Sequence, residues 1–146
     1  MGYYLRFLTE RSPPALAEIE AGLKAADARY AIPHEEREGE LHRGDELLGE
    51  IELNVPGDGL FDEEIKELLE ELEDVEESKA RAEIEVRLQE AKGVVAVRVL
   101  WQAPRKTEAT LEMIEPLWEW LFANCPGVLQ ADDGYYGESD QLVSLE

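Results

Sequence analysis

One cysteine, two histidines and fourteen bases are all that this chain sets against thirty-five acids. A lone Cys125 excludes an internal disulfide and points to a reducing compartment. The opening MGYYLRFLTE has no basic segment followed by an apolar run, so no secretory signal is read there. No stretch approaches the roughly 18 apolar residues of a membrane span. A cytoplasmic location is the resulting expectation. GxSxG, P-loop and GxGxxG patterns are all missing, which removes the usual fingerprints of three large enzyme classes. The shortage of bases leaves a formal charge of −21, and that charge repels nucleic acid and anionic membrane alike.

What is present is enough for a folded protein. With 146 residues and 44% hydrophobic content, the chain reads as one domain over 1–146 with a real core, not as an acidic tail. The closing Leu145-Glu146 reads as a cloning remnant without function. YYLRFLT at 3–9 predicts a strand, and SPPALAEIEAGLKAADA predicts a helix over 13–28 with Ser12 as N-cap. RYAIPH predicts a short strand limited by Pro33. LHRGDELLGEIELNV at 41–55 predicts a strand with an early turn at Gly44-Asp45. Its Ile51, Leu53 and Val55 alternate with Glu50, Glu52 and Asn54, one dry side and one wet.

The cleanest amphipathic helix falls at 61–75, where Phe61, Ile65, Leu68, Leu69, Leu72 and Val75 keep helical spacing. After it, Ala80, Ala82, Ile84, Val86 and Leu88 alternate with polar residues, and VVAVRVLW at 94–101 is largely apolar. The pair predicts an antiparallel hairpin over 80–101 turning at Lys92-Gly93. A third helix is predicted over 107–122 with Thr107 as N-cap, then short strands around a polar turn. The resulting fold class is α+β, a two-layer sandwich with a mainly antiparallel sheet and three helices packed on one face.

Four stretches invite chemistry. ADDGYYGESD, at 131–140, fails the spacing of an EF-hand calcium loop at three ligand positions and is read as a turn. His34 and His42 flank an acidic link, but pairing residue 34 with 39 would put their rings on opposite faces, and no metal or other cofactor is expected. Cys125 sits where the third helix stops, a position that disfavours a thiolate, and is read as structural. From Asp58 to Glu77 lie eleven acids and one base, Lys66. Acids three and four apart repel by a few tenths of a kcal/mol per pair, so this face is either a docking surface or a tolerated burden. Glu63, Glu67, Glu70, Glu71 and Asp74 are its candidate partner-binding residues.

The third helix has a second apolar stripe. At about 100° per residue, Leu111, Ile114, Leu117, Trp118, Leu121 and Phe122 gather on one face, while Met113, Pro116 and Trp120 lie roughly 130° away. Met113 and Trp120 are therefore candidates for a partner contact, unless the C-terminal segment folds over them. The chain reads as an acidic, non-enzymatic protein-binding or regulatory module whose partner is another protein, basic in character, or a second copy of itself. A metal-assisted hydrolase using carboxylates and a histidine is the alternative, and a homodimeric structural domain the third.

Overall fold

The computed structural model describes residues 2–101, 104–138 and 141–144. Among them, nine strands join in one antiparallel sheet with four helices. The strands are β1 (Gly2–Thr9), β2 (Tyr30–Ala31), β3 (His34–Glu35), β4 (Glu38–Arg43), β5 (Glu46–Asn54), β6 (Gly93–Leu100), β7 (Gly127–Ala131), β8 (Gly134–Tyr136) and β9 (Gln141–Ser144). The helices are α1 (Leu16–Ala26), α2 (Gly59–Leu72), α3 (Lys79–Glu90) and α4 (Thr107–Asn124). The sheet order is β2-β4-β5-β6-β1-β7-β8-β9, with β3 paired to β4.

The α+β class stands, but the layering does not. Helices α1 and α4 cover one side of the sheet, packing Leu16, Ile19, Leu23, Ile114, Leu117, Trp118 and Leu121 onto Leu5, Phe7, Val95, Val97 and Val99. Helices α2 and α3 cover the other side, packing Phe61, Leu68, Leu72, Ile84 and Leu88 onto Leu8, Val94, Ala96 and Val128. Four helices on two faces replace the expected three on one. The cause lies in β6, whose Val94 and Ala96 are as dry as Val95, Val97 and Val99. A strand apolar on both sides needs cover on both sides.

The predicted hairpin over 80–101 does not exist, because 80–90 is helical. Ser78 caps α3 by accepting from the Arg81 amide at 3.1 Å, and the Arg81 side chain donates to the Val75 carbonyl at 2.7 Å. Ile84 and Leu88, four residues apart, are its buried stripe, while Val86 is 48% exposed. Two of the five residues in the apparent alternation are alanines, the best helix formers, and Glu, Arg, Leu and Gln favour helix too. Strand β6 pairs instead with β1 and β5.

Smaller differences concern ends. Helix α1 begins at Leu16, not at Pro13, and Ala15 rather than Ser12 occupies its cap without a side-chain bond. Helix α2 starts two residues early, at Gly59, where Asp58 accepts from the Leu60 amide at 3.0 Å. The β4–β5 hairpin turns at Gly44, which adopts a positive φ of 61°, and the register shifts beside Leu41 and His42. In the ADDGYYGESD stretch, Asp132-Asp133 forms the β7–β8 turn and Gly134–Tyr136 the next strand, while residues 139 and 140 lie outside the described set.

Candidate functional site

The α2/α3 side of the sheet is covered at one end only. Antiparallel register aligns its side chains in rows, because residues directly opposite share a face. Asn54, Val94, Leu8 and Val128 form a row under the helices. The next row runs Glu38, Glu52, Ala96, Arg6, Gln130 and Tyr135. A third, Glu40, Glu50, Arg98 and Tyr4, is open to solvent, with Tyr4 41% exposed. Dry packing thus gives way to a charged floor within two residues along β1 and β5, and within four along β6, where Ala96 is still buried.

Helix α2 is anchored to the middle row by one carboxylate. Glu64 accepts from Arg6 Nε at 2.6 Å and from Asn54 Nδ2 at 2.5 Å. Arg6 also donates to Gln130 Oε1 at 3.2 Å and lies 5.0 Å from the Tyr4 ring centroid. The Arg6–Glu64 pair is well sheltered, its side chains 19% and 13% exposed. In the outer row Arg98 pairs with Glu50. Both arginines are therefore neutralised from within, and the acids left over set the sign of the surface.

Burial raises the Glu52 carboxyl above the usual range, partly offset by its bond from Asn54 and reinforced by Glu64, Glu38 and Asp58. Two depressions open on this floor. One, of about 360 Å³, lies over Tyr4, Glu38, Glu50, Glu52 and Arg98. The other, of about 670 Å³, lies between the C-terminal end of α2 and the β7–β9 edge, with Arg6 and Gln130 at its base.

Of the five predicted acids, Glu71 and Asp74 line the second depression. By about 100° per residue, Glu71, Glu67, Glu63 and Glu70 follow Glu64 around the helix, away from the buried Phe61, Leu68 and Leu72. The predicted Asp74 falls in the turn after α2, its amide donating to the Glu71 carbonyl at 3.2 Å. All five are exposed. Met113 and Trp120 lie elsewhere, on α4 across the sheet, so the two candidate sets are not one site. Both are partly buried on the α1/α4 core. The cover over Trp120 is α1 and not the C-terminal segment, which forms strands at the far side of β1. A Cβ at Gly22 of α1 would overlap the Trp120 indole, so the ring lies against bare helix backbone. The Met113 carbonyl accepts from the Tyr30 hydroxyl at 2.6 Å.

His34 does pair with Gly39, and His42 with Ala31, so strand alternation puts the two rings on opposite sides of β4. His42 Nε2 lies 3.2 Å from Glu40, and His34 Nδ1 contacts the Ile32 carbonyl at 2.6 Å. Among the described residues no three His, Cys, Asp or Glu side chains group to hold a metal ion. Cys125 is buried at the end of α4, and burial pushes its thiol pKa up. Arg6, Glu64, Glu38 and Tyr135 were not singled out from sequence. The wet alternation Glu50, Glu52, Asn54 was legible, whereas which strands would lie beside it was not.

No family model, curated protein or solved structure matches this chain.

Proposed function

We propose that this protein is a non-enzymatic binding module that docks a basic protein partner on the wet side of its sheet. The observation carrying this reading is the half-covered face, where Glu38, Glu40, Glu50 and Glu52 continue onto the exposed acids of α2. The bases within its rows, Arg6 and Arg98, are already paired with Glu64 and Glu50, and Arg37 beside Glu38 and Glu52 is outnumbered by the acids around it. A surface of one sign that is wide and shallow suits a macromolecule of opposite sign, because steering acts over about a Debye length, 8 Å at physiological salt. The cost of repulsion among unpaired acids is recovered when a cationic surface arrives. An enzymatic reading would call for convergent Asp, Glu and His groups in a closed pocket.

The test is capture from native-host lysate with two variants of equal charge loss. One carries Glu38→Gln, Glu40→Gln, Glu67→Gln and Glu71→Gln on the wet side. The other carries Glu18→Gln, Glu108→Gln, Glu112→Gln and Glu115→Gln on α1 and α4, all exposed. A basic protein held by wild type and by the α1/α4 variant, lost by the wet-side variant and released at 0.5 M salt, supports the reading. Equal retention by both variants contradicts it.

A further inference from the structure

The second apolar stripe of α4 is covered at one end only. Ala109, Met113, Pro116 and Trp120 follow one another at helical spacing, and all four are half-buried. Over Trp120 the cover is α1, whose Gly22 backbone lies against the indole. Helix α1 stops at Ala26, with Asp27 as its C-cap, and past that end a depression of about 480 Å³ opens along Ala109, Met113 and Pro116. Small-molecule sites span about 300–1,000 Å³. Tyr30 and Arg43, opposite each other in β2 and β4, line the other wall. The Tyr30 hydroxyl is spent on the Met113 carbonyl, which fixes the ring against α4.

Arg43 is the unexplained group here. Its guanidinium lies 5.9 Å from the Tyr30 ring centroid, and its side chain is 27% exposed. Its Nε is sealed from solvent without a partner, and among the described residues the guanidinium donates no hydrogen bond. The Asp27 carboxylate stands 3.6 Å from that Nε, too far for one. Asp27 is instead gripped by the Arg29 side chain at 2.7, 3.1 and 3.2 Å, and that grip holds its carboxyl well below the usual range. An arginine held in place by an aromatic ring, with its donors unspent, thus faces an apolar wall.

We propose that this depression is a second binding site, separate from the wet side of the sheet, for a small carboxylate with an apolar tail. The carboxylate takes the outer edge of the Arg43 fork, the geometry in which guanidinium and carboxylate bond twice in parallel. The tail lies along Ala109, Met113 and Pro116. Local charge permits an anion, because Arg29 and Arg43 answer Asp27 and Glu112 in a chain where acids otherwise outnumber bases 35 to 14. One fork facing the rim acid Glu112 suits a single negative charge rather than a phosphate.

The experiment is an amide chemical-shift titration at 150 mM NaCl with three probes that share one tail: 4-phenylbutyrate, 4-phenylbutanamide and 4-phenylbutylamine. The carboxylate is expected to saturate, with shifts centred on Tyr30, Arg43 and α4 between Ala109 and Leu117. It should bind about tenfold more tightly than the amide or the amine, as expected for hydrogen bonds between charged groups. Arg43→Met should bring its affinity down to that of the amide, and Glu112→Gln should raise it about twofold by removing the rim charge. Ala109→Leu fills the depression and leaves Arg43 in place, so binding should be lost while the melting temperature stays level, which separates a filled site from a misfolded one. Arg87→Met on α3, of equal charge change to Arg43→Met, should leave the affinity unchanged. Equal affinity for carboxylate and amide, undiminished binding by Ala109→Leu, or no saturable binding at all would each overturn the site. The docking reading stands apart from these outcomes, since it concerns the opposite side of the sheet.

Discussion

Against α1 and α4 the sheet presents Leu5, Phe7, Ile51, Val95, Val97 and Val99, none more than 6% exposed. From the same strands, the opposite side presents Tyr4, Arg6, Glu50, Glu52 and Arg98 beyond the edge of α2. Neighbouring positions in one strand thus carry opposite duties. The dry side is closed by two helices and holds the fold together through area removed from water, at roughly 25 cal/mol per Å². The other side is closed over the Asn54–Val94–Leu8–Val128 row and over Ala96, Gln130 and Tyr135 of the next, and beyond them polar groups meet each other. Stability belongs mainly to the first side, and the recognition we propose to the second.

Truncation on the dry side should have the largest effect. Trp118 is 7% exposed within the α1/α4 core, so Trp118→Ala is expected to destabilise by about 3–5 kcal/mol in urea melts. On the wet side, Arg6→Ala should cost about 2 kcal/mol, because Glu64 loses its charge partner in a sheltered place. Adding Glu64→Ala should then cost less than the same change made alone, since the two are coupled. A wet-side loss as large as that of Trp118→Ala would break the division of labour.

A smaller effect sharpens the role of Trp120. Alanine in a helix interior usually gains up to about 1 kcal/mol over glycine, yet at Gly22 its Cβ would overlap the indole. Gly22→Ala is therefore expected to destabilise wild type and to stabilise a Trp120→Ala background. The same sign in both backgrounds would mean that the ring does not rest on α1. Smallest of all is Glu52→Gln. Burial raises the folded pKa of Glu52, so between the unfolded value of about 4.3 and that raised value the folded state binds more protons. Its contribution is most favourable at low pH and is lost as pH rises through the folded pKa. Glu52→Gln should thus be more stable than wild type at pH 7, with the gap closing as pH falls toward 4. A gap that widens on acidification would contradict the burial.

The elements that were legible are those with an unambiguous period. Helix α2 announces itself through Phe61, Leu68 and Leu72, and β5 through the alternation from Glu50 to Asn54. Helix α3 was hidden because alternating Ala, Ile, Val and Leu imitate a strand, and the decisive facts were the Ser78 cap and the helix-favouring composition between them. Missing α3 also hid the second helical layer, although the doubly apolar β6 implied it. The exposed acids of α2 were found from sequence as a surface, but their neighbours were not. Arg6, Gln130 and Tyr135 meet only through pairings between β1, β7 and β8, and Arg6 and Gln130 are 124 residues apart.

The central claim is that the wet side of the sheet, and not α1 and α4, receives a cationic partner. Amide chemical-shift mapping during a hexa-arginine titration at 150 mM salt addresses it directly. Shifts should concentrate on α2, on β1 near Tyr4 and Arg6, and on Glu38, Glu50, Glu52, Gln130 and Tyr135, and they should fade at 0.5 M salt. Shifts centred on α1 and α4, or spread evenly over every exposed acid, would contradict it.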